Sequence, residues 1–216
     1  MKPILFNTEM VRAILESRKT CTRRTIKGVS GLNAIGISSE GGIFDRVAFG
    51  YGDFNKIENA KIEKYIKVPY LPGDILYVRE TWLKADDGYY YKADMTSLSE
   101  EIRKAYGYKW KPSIHMPKVA ARIFLKIKDV RVERLQDING EDSIKEGIQK
   151  LSKGLYGVNE ETNIIYQCLS PRDAFLQLWN STVNKKDINK YGRKANPWLW
   201  VIEFERISKE EAFRNE

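Results

Sequence analysis

The sequence predicts an α+β fold: a small mixed-sheet β-barrel with short helices at its ends. Three observations lead there. Strand-like runs with apolar alternation outnumber runs with helical spacing. Those strands are separated by turns and short helices, without the regular crossover helices of a parallel βαβ sheet. The chain has 216 residues, 42% hydrophobic and 31% charged, which is long enough to close one core and too apolar for a disordered chain. We read it as one domain, residues 1–216, with insertions near 28–70 and 152–167.

Taken in order, Pro3-Ile4-Leu5-Phe6 reads as a short apolar strand. Thr8 is then placed to cap a helix that buries Met10, Val11, Ile14 and Leu15 and ends near Ser17 or Arg18. Residues 28–52 are rich in Gly and Ser and read as a mobile surface excursion or a loose hairpin. Pro72-Gly73-Asp74 is a turn signal, after which residues 75–82 alternate as a two-faced strand. Asp86-Asp87-Gly88 turns that strand back into Tyr89-Tyr90-Tyr91, a hairpin. A longer strand pattern fills 119–135, with a bend near Asp129. Asn139 and two acids open a helix over 141–147, and Ser170-Pro171 opens another that buries Ala174, Phe175, Leu178 and Trp179. Pro197 precedes an alternating final strand, 198–207.

Lys and Arg number 37 against 29 Asp and Glu, a surplus of +8, so the surface attracts polyanions and nucleic acid leads as the partner class. Cys21 and Cys168 form no C-x-x-C pair and no disulfide framework, which points to a reducing cytoplasm and away from zinc. No apolar run approaches a membrane span, and no signal sequence follows Met1, so export and anchoring are not expected. His115 is the only histidine, which excludes a histidine triad and a His-rich metal site. No metal or cofactor is expected, and any catalysis must use Lys, Thr, Glu, Asp, Tyr or Arg.

The densest cationic run is Arg18-Lys19-Thr20-Cys21-Thr22-Arg23-Arg24. It straddles a helix end and the next strand, so Lys19, Thr22 and Arg24 are free to converge on one pocket; a solvated basic turn beside the helix dipole would look the same.

With Ser17 in front, this run resembles the G-x-K-x-x-T-x-R signature of the ASCH family, a PUA-like β-barrel group, although Ser17 stands where the family has glycine. The resemblance continues through Pro72-Gly73-Asp74-Ile75-Leu76-Tyr77-Val78-Arg79-Glu80-Thr81-Trp82, through Ile114-His115-Met116-Pro117, through 135–147, and into Asn196-Pro197-Trp198-Leu199-Trp200-Val201-Ile202-Glu203-Phe204. It matches the longer form often encoded by phages and prophages, which would put the protein in the host cytoplasm. One branch of the family hydrolyses N4-acetylcytidine to cytidine and acetate with a Lys, a Thr and a Glu. By motif position these are Lys19, Thr22 and Glu146.

Amide hydrolysis needs an attacking oxygen, a proton acceptor and a proton donor for the departing amine. Lys19 acts as a base only when unprotonated, several units below its reference pKa of about 10.4, and the neighbouring arginines with partial burial are expected to push it there. Thr22 attacks or positions a water. Glu146 holds the cytosine edge or shuttles a proton, unless it is merely an exposed partner of Lys150. Replacing Lys19 or Thr22 by Ala is expected to abolish turnover and spare the fold.

Arg18, Arg23 and Arg24 are the candidate substrate- or RNA-binding cations. Glu80 and Trp82 are further candidates at the pocket mouth, with Trp82 either stacking on a base or buried in the core. At most one face of Tyr89-Tyr90-Tyr91 can serve as a platform, His115 suits a structural hydrogen bond, and Asp94 suits a turn acceptor. Three functions remain open: a metal-independent amidohydrolase of an acylated cytidine, an RNA-binding module without turnover, and an RNA-cleaving enzyme. A closed pocket around Lys19 and Thr22 favours a nucleoside, whereas a basic groove continuing to Lys185, Lys186, Arg193 and Lys194 favours a polynucleotide.

Overall fold

The computed structural model describes residues 1–40, 43–52, 60–159 and 168–214; the rest of the two expected insertions, at 41–42, 53–59 and 160–167, lies outside the described residues. The fold is α+β. Its largest sheet has five strands in the order β1 (Lys2–Leu5), β6 (Ile75–Arg79), β9 (Phe124–Arg134), β12 (Trp198–Ile207) and β2 (Cys21–Thr25). β1 runs parallel to β6 and the other neighbours are antiparallel, so the sheet is mixed. Among the described residues no pairing closes β1 onto β2. The Arg24 guanidinium does reach the Leu5 carbonyl at 2.6 Å and so links the two edges.

Alternation along these strands makes the core. Ile4, Leu76, Val78, Leu125, Trp200 and Ile202 fill one face with Val11 and Ile14 of α1 (Thr8–Leu15). Leu199 turns to the other face, onto Phe175, Leu176 and Trp179 of α4 (Pro171–Thr182) and Leu135 and Ile138. β12 is thus buried on both sides at its centre. Opposite the step from Glu203 to Phe204, β9 holds an extra residue, Lys128, between Ile127 and Asp129. This bulge is the bend expected near Asp129.

Three local expectations are corrected. The cap of α1 is Asn7, one residue before Thr8, because the Asn7 Oδ1 accepts from the Met10 amide at 2.9 Å. The strand expected over 75–82 stops at Arg79: the Glu80 side chain turns onto Arg122, and Trp82 pairs backbone to backbone with Lys111 before the hairpin of β7 (Trp82–Ala85) and β8 (Gly88–Tyr91). The segment expected over 28–52 as a surface excursion or a loose hairpin is a packed antiparallel sheet, in which β3 (Asn33–Glu40) and β4 (Ile43–Tyr51) form a hairpin and β5 (Lys61–Lys67) adds a third strand. Val47 and Phe49 of that sheet are buried in the main core, and Phe49 meets Trp198 edge to face at 6.1 Å. No described helix is long and apolar enough to cross a membrane.

Candidate functional site

Two helix ends facing each other build the site. At the end of α1 the amide of Ser17 donates to Ile14 and that of Arg18 to Ala13, with Ser17 at φ 59°. These are the crossed bonds of a Schellman cap. The helix α3 (Gly140–Lys145), started by Asn139 as expected, ends in the same way. Gly147 donates to Ile144 and Ile148 to Ser143, with Gly147 at φ 101°. The caps touch: a Cβ on Gly147 would stand 3.1 Å from that of Ala13, so position 147 requires glycine on two counts. Lys19 leaves the first cap toward Glu146, the last residue before the second glycine, and the Thr20 amide fastens to the Lys145 carbonyl at 2.9 Å.

The pair these caps present is enclosed. Lys19 Nζ donates to Glu146 Oε2 at 2.6 Å and to the Glu146 carbonyl at 2.9 Å, with the two side chains 0% and 2% exposed. That carbonyl lies at the negative end of α3, which adds to the attraction for the ammonium. The other carboxylate oxygen, Oε1, accepts from Arg23 at 3.3 Å, and Arg23 also donates to Glu133 at 3.0 Å and Asp142 at 3.4 Å. Lys19 therefore has a carboxylate as its nearest ionisable neighbour, which corrects the expectation that arginines surround it. The exposed pairing of Glu146 with Lys150 is also excluded by its burial.

A cleft of about 220 Å³ opens beside Glu146, between the β1–α1 junction, the edge strand β2 and α4. Lys19 does not line it and borders a separate cavity of about 450 Å³ with Ser17, Lys145 and Glu203, which corrects the expectation that Lys19, Thr22 and Arg24 converge on one pocket. Thr22, Arg23, Arg24 and Glu146 form its polar wall; Met10, Phe175, Leu178 and Trp179 form its apolar wall. Thr22 and Arg24 lie opposite Ile202 and Trp200 in the sheet, so they share the inner face of β2. Thr22 is 2% exposed, and its hydroxyl makes no hydrogen bond to a described residue. Arg24 has no carboxylate partner among the described residues; it binds the Leu5 carbonyl and stacks over Phe6 at 5.2 Å. Burial lowers its pKa, against the pull of the Glu146 charge. Arg23 Nε is buried and has no hydrogen-bond partner among the described residues. Burial, with the Glu146 charge, pushes the Cys21 thiol up to about 12, so Cys21 stays protonated and unreactive at neutral pH.

The remaining candidates stand apart. Arg18 binds the Gly147 carbonyl at 3.0 Å and Glu16, which holds the two caps together from outside. Glu80 and Trp82 do not line this cleft. Glu80 receives two hydrogen bonds from Arg122, which also binds Asp94, so Asp94 is an ion-pair partner and not a turn acceptor. Trp82 is buried among Met116, Ala120 and Phe124, and Tyr89 packs against it. Tyr90 and Tyr91 direct their hydroxyls to Asp87 and the Ala120 carbonyl. His115 is exposed, with no side-chain hydrogen bond among the described residues.

Sequence reasoning missed Glu133 and Asp142, whose pairing with Arg23 arises only in the folded chain. It also read Phe175 and Trp179 as core alone; their spacing with Leu178 and Thr182 gives one α4 face, and that face walls the cleft. Among the described residues no cluster of three or more His, Cys, Asp or Glu could hold a metal ion. Comparison of the chain with protein-family models, with curated proteins and with solved structures finds no match in any of the three.

Proposed function

We propose that this cleft hydrolyses an N4-acylated cytidine. The observation behind the proposal is the enclosed Lys19–Glu146 pair beside an unpartnered threonine hydroxyl. Resemblance to the ASCH family at Lys19, Thr22 and Glu146 supports the same roles, and the PUA-like barrel belongs to that reading, with the Arg24 bond to Leu5 bridging the sheet edges. In this mechanism Thr22 Oγ adds to the acetyl carbon while its proton passes to the Lys19–Glu146 pair. The bond from that carbon to N4 then breaks, the pair returns the proton to N4, and cytidine leaves. Water hydrolyses the acyl-threonine ester to acetate and restores Thr22. Arg24, a cation without an acid of its own, faces the negative charge that develops on the acyl oxygen. The apolar wall from Phe175 to Trp179 takes the face of the base.

The test is turnover of N4-acetylcytidine by the wild type and by Thr22→Val, which keeps the branched shape and strands no hydrogen-bond partner. A drop of roughly 100-fold or more, the usual scale for a missing proton-transfer or attacking group, is expected with nearly unchanged stability. No turnover by the wild type on any acylated cytosine overturns the proposal. Lys19→Ala is a poorer probe than the sequence suggests. Removing one partner of a buried ion pair costs about 3–5 kcal/mol, so an absent rate would be confounded with an absent fold. A second reading, binding of RNA without turnover, draws on one fact: both Glu146 oxygens already accept hydrogen bonds.

A further inference from the structure

The cleft of about 220 Å³ is below the roughly 300–1,000 Å³ of ordinary ligand sites and has room for little more than one base. A second feature adjoins it. Thr182, at the cleft rim, ends α4, and the next turns carry Lys185, Lys186, Lys190, Arg193 and Lys194. These five cations against the single Asp187 account for half of the whole chain's +8. All five are exposed, and none has a carboxylate partner among the described residues. By contrast Arg23, Arg122 and Arg131 each pair with a carboxylate.

The segment is fixed in place. Trp179, whose ring walls the cleft, donates from Nε1 to the Tyr191 carbonyl at 2.8 Å. Asn180 accepts from the Arg193 amide at 2.7 Å, and Gln136 donates to the Arg193 carbonyl at 2.8 Å. Arg193 and Lys194 border both a groove of about 410 Å³ and another of about 250 Å³. Lys185 follows Thr182 by three residues, at most about 10 Å of extended chain.

We infer that residues 185–194 bind the phosphates of a single-stranded RNA whose base enters the cleft, so that the substrate is an acylated cytosine within a strand and not the free nucleoside. This rests on the hydrolase reading. A base unstacked from a strand reaches a pocket of one-ring size, while its flanking phosphates need cations outside the pocket. The patch supplies those cations, unneutralised, beginning three residues beyond the rim residue Thr182 and continuing to Arg193 and Lys194 beside Arg172 and Leu176.

The experiment compares the wild type with K185Q/K186Q/R193Q/K194Q on free N4-acetylcytidine and on a 12-nucleotide single-stranded RNA carrying one such base. The expected result is at least a tenfold fall of kcat/KM on the oligonucleotide, with the nucleoside rate within twofold of wild type. Binding of the same RNA without the acetyl group is followed by fluorescence anisotropy against salt. The slope of log affinity on log salt should fall by about 3, at about 0.7 for each phosphate that the variant no longer neutralises. Equal falls on both substrates, an unchanged oligonucleotide rate, or duplex RNA bound as well as single strands overturns the inference. If the wild type hydrolyses neither substrate the hydrolase reading fails, and the anisotropy still decides the patch: retained affinity and slope in the variant overturn it.

Discussion

At the residue scale, Ser17 marks where the sequence departs from a rule its own backbone obeys. Its φ of 59° is the conformation that favours glycine, and Ser17 is exposed, with no side-chain hydrogen bond among the described residues to offset the strain. Ser17→Gly should therefore stabilise the protein by about 0.5 kcal/mol, the relief of roughly 1 kcal/mol less the extra freedom glycine has when unfolded. Ser17→Val should destabilise it. Urea unfolding of the three proteins tests the order Gly above Ser above Val, and a reversed order would mean that this cap does not set the direction of Lys19. The position was legible because a motif can be matched residue by residue: Lys19 pairs with Glu146, and Thr22 and Glu146 line one cleft. Their ionic surroundings were not legible. Glu133 and Asp142 reach Arg23 from sequence separations of 110 and 119, across a sheet and a helix that no local pattern joins.

At the element scale, the expected continuous strand from 75 to 82 breaks because two requirements conflict at Glu80. Alternation assigns its side chain to the buried face, and burial of a carboxylate demands a cation. Arg122 provides it, and the chain bends to keep the two in contact before β7 begins. A strand pattern records which residues are apolar but not where a buried charge finds its partner. The pair has a pH signature. Burial raises the pKa of Glu80 from its ordinary 4.5, outweighing the pull of Arg122. The native state thus holds a proton more tightly than the unfolded chain, so this group's stabilisation is complete below about 4.5 and is lost as pH rises through the higher native value. Glu80→Gln removes that titration. The stability of the wild type relative to Glu80→Gln should fall between pH 4 and pH 7 in denaturant unfolding, and a rise over that interval would mean that Arg122 dominates.

At the scale of the whole molecule, the question is what the first insertion contributes to the fold. Gly- and Ser-rich composition over 28–52 suggested a surface excursion or a loose hairpin, because the interspersed Gly and Ser break the alternation that would show where the apolar residues go. In the folded chain they go inward. Val29, Leu32, Val47 and Phe49 join the core of the main sheet, and the Leu32 carbonyl accepts from Trp198 Nε1 at 2.8 Å and from Arg134 at 3.3 Å. Arg134 in turn covers the Trp198 ring at 4.1 Å. The insertion is therefore latched to the junction of β9 and β12, the strand pair on which β2 and its cleft are built. Phe49 tests this most directly, being fully buried at 0% exposure with its ring against Trp198. Phe49→Ala should cost about 3–5 kcal/mol, the range for emptying an aromatic site in a packed core. For a domain of this size that is a fall in Tm of about 6–20 °C at 2–4 °C per kcal/mol. Because the cavity would lie beneath Trp198, Trp fluorescence should change in the native state before unfolding begins. A Tm within 2 °C of wild type would return the insertion to the status of a surface appendage, and the cleft would then stand without its support.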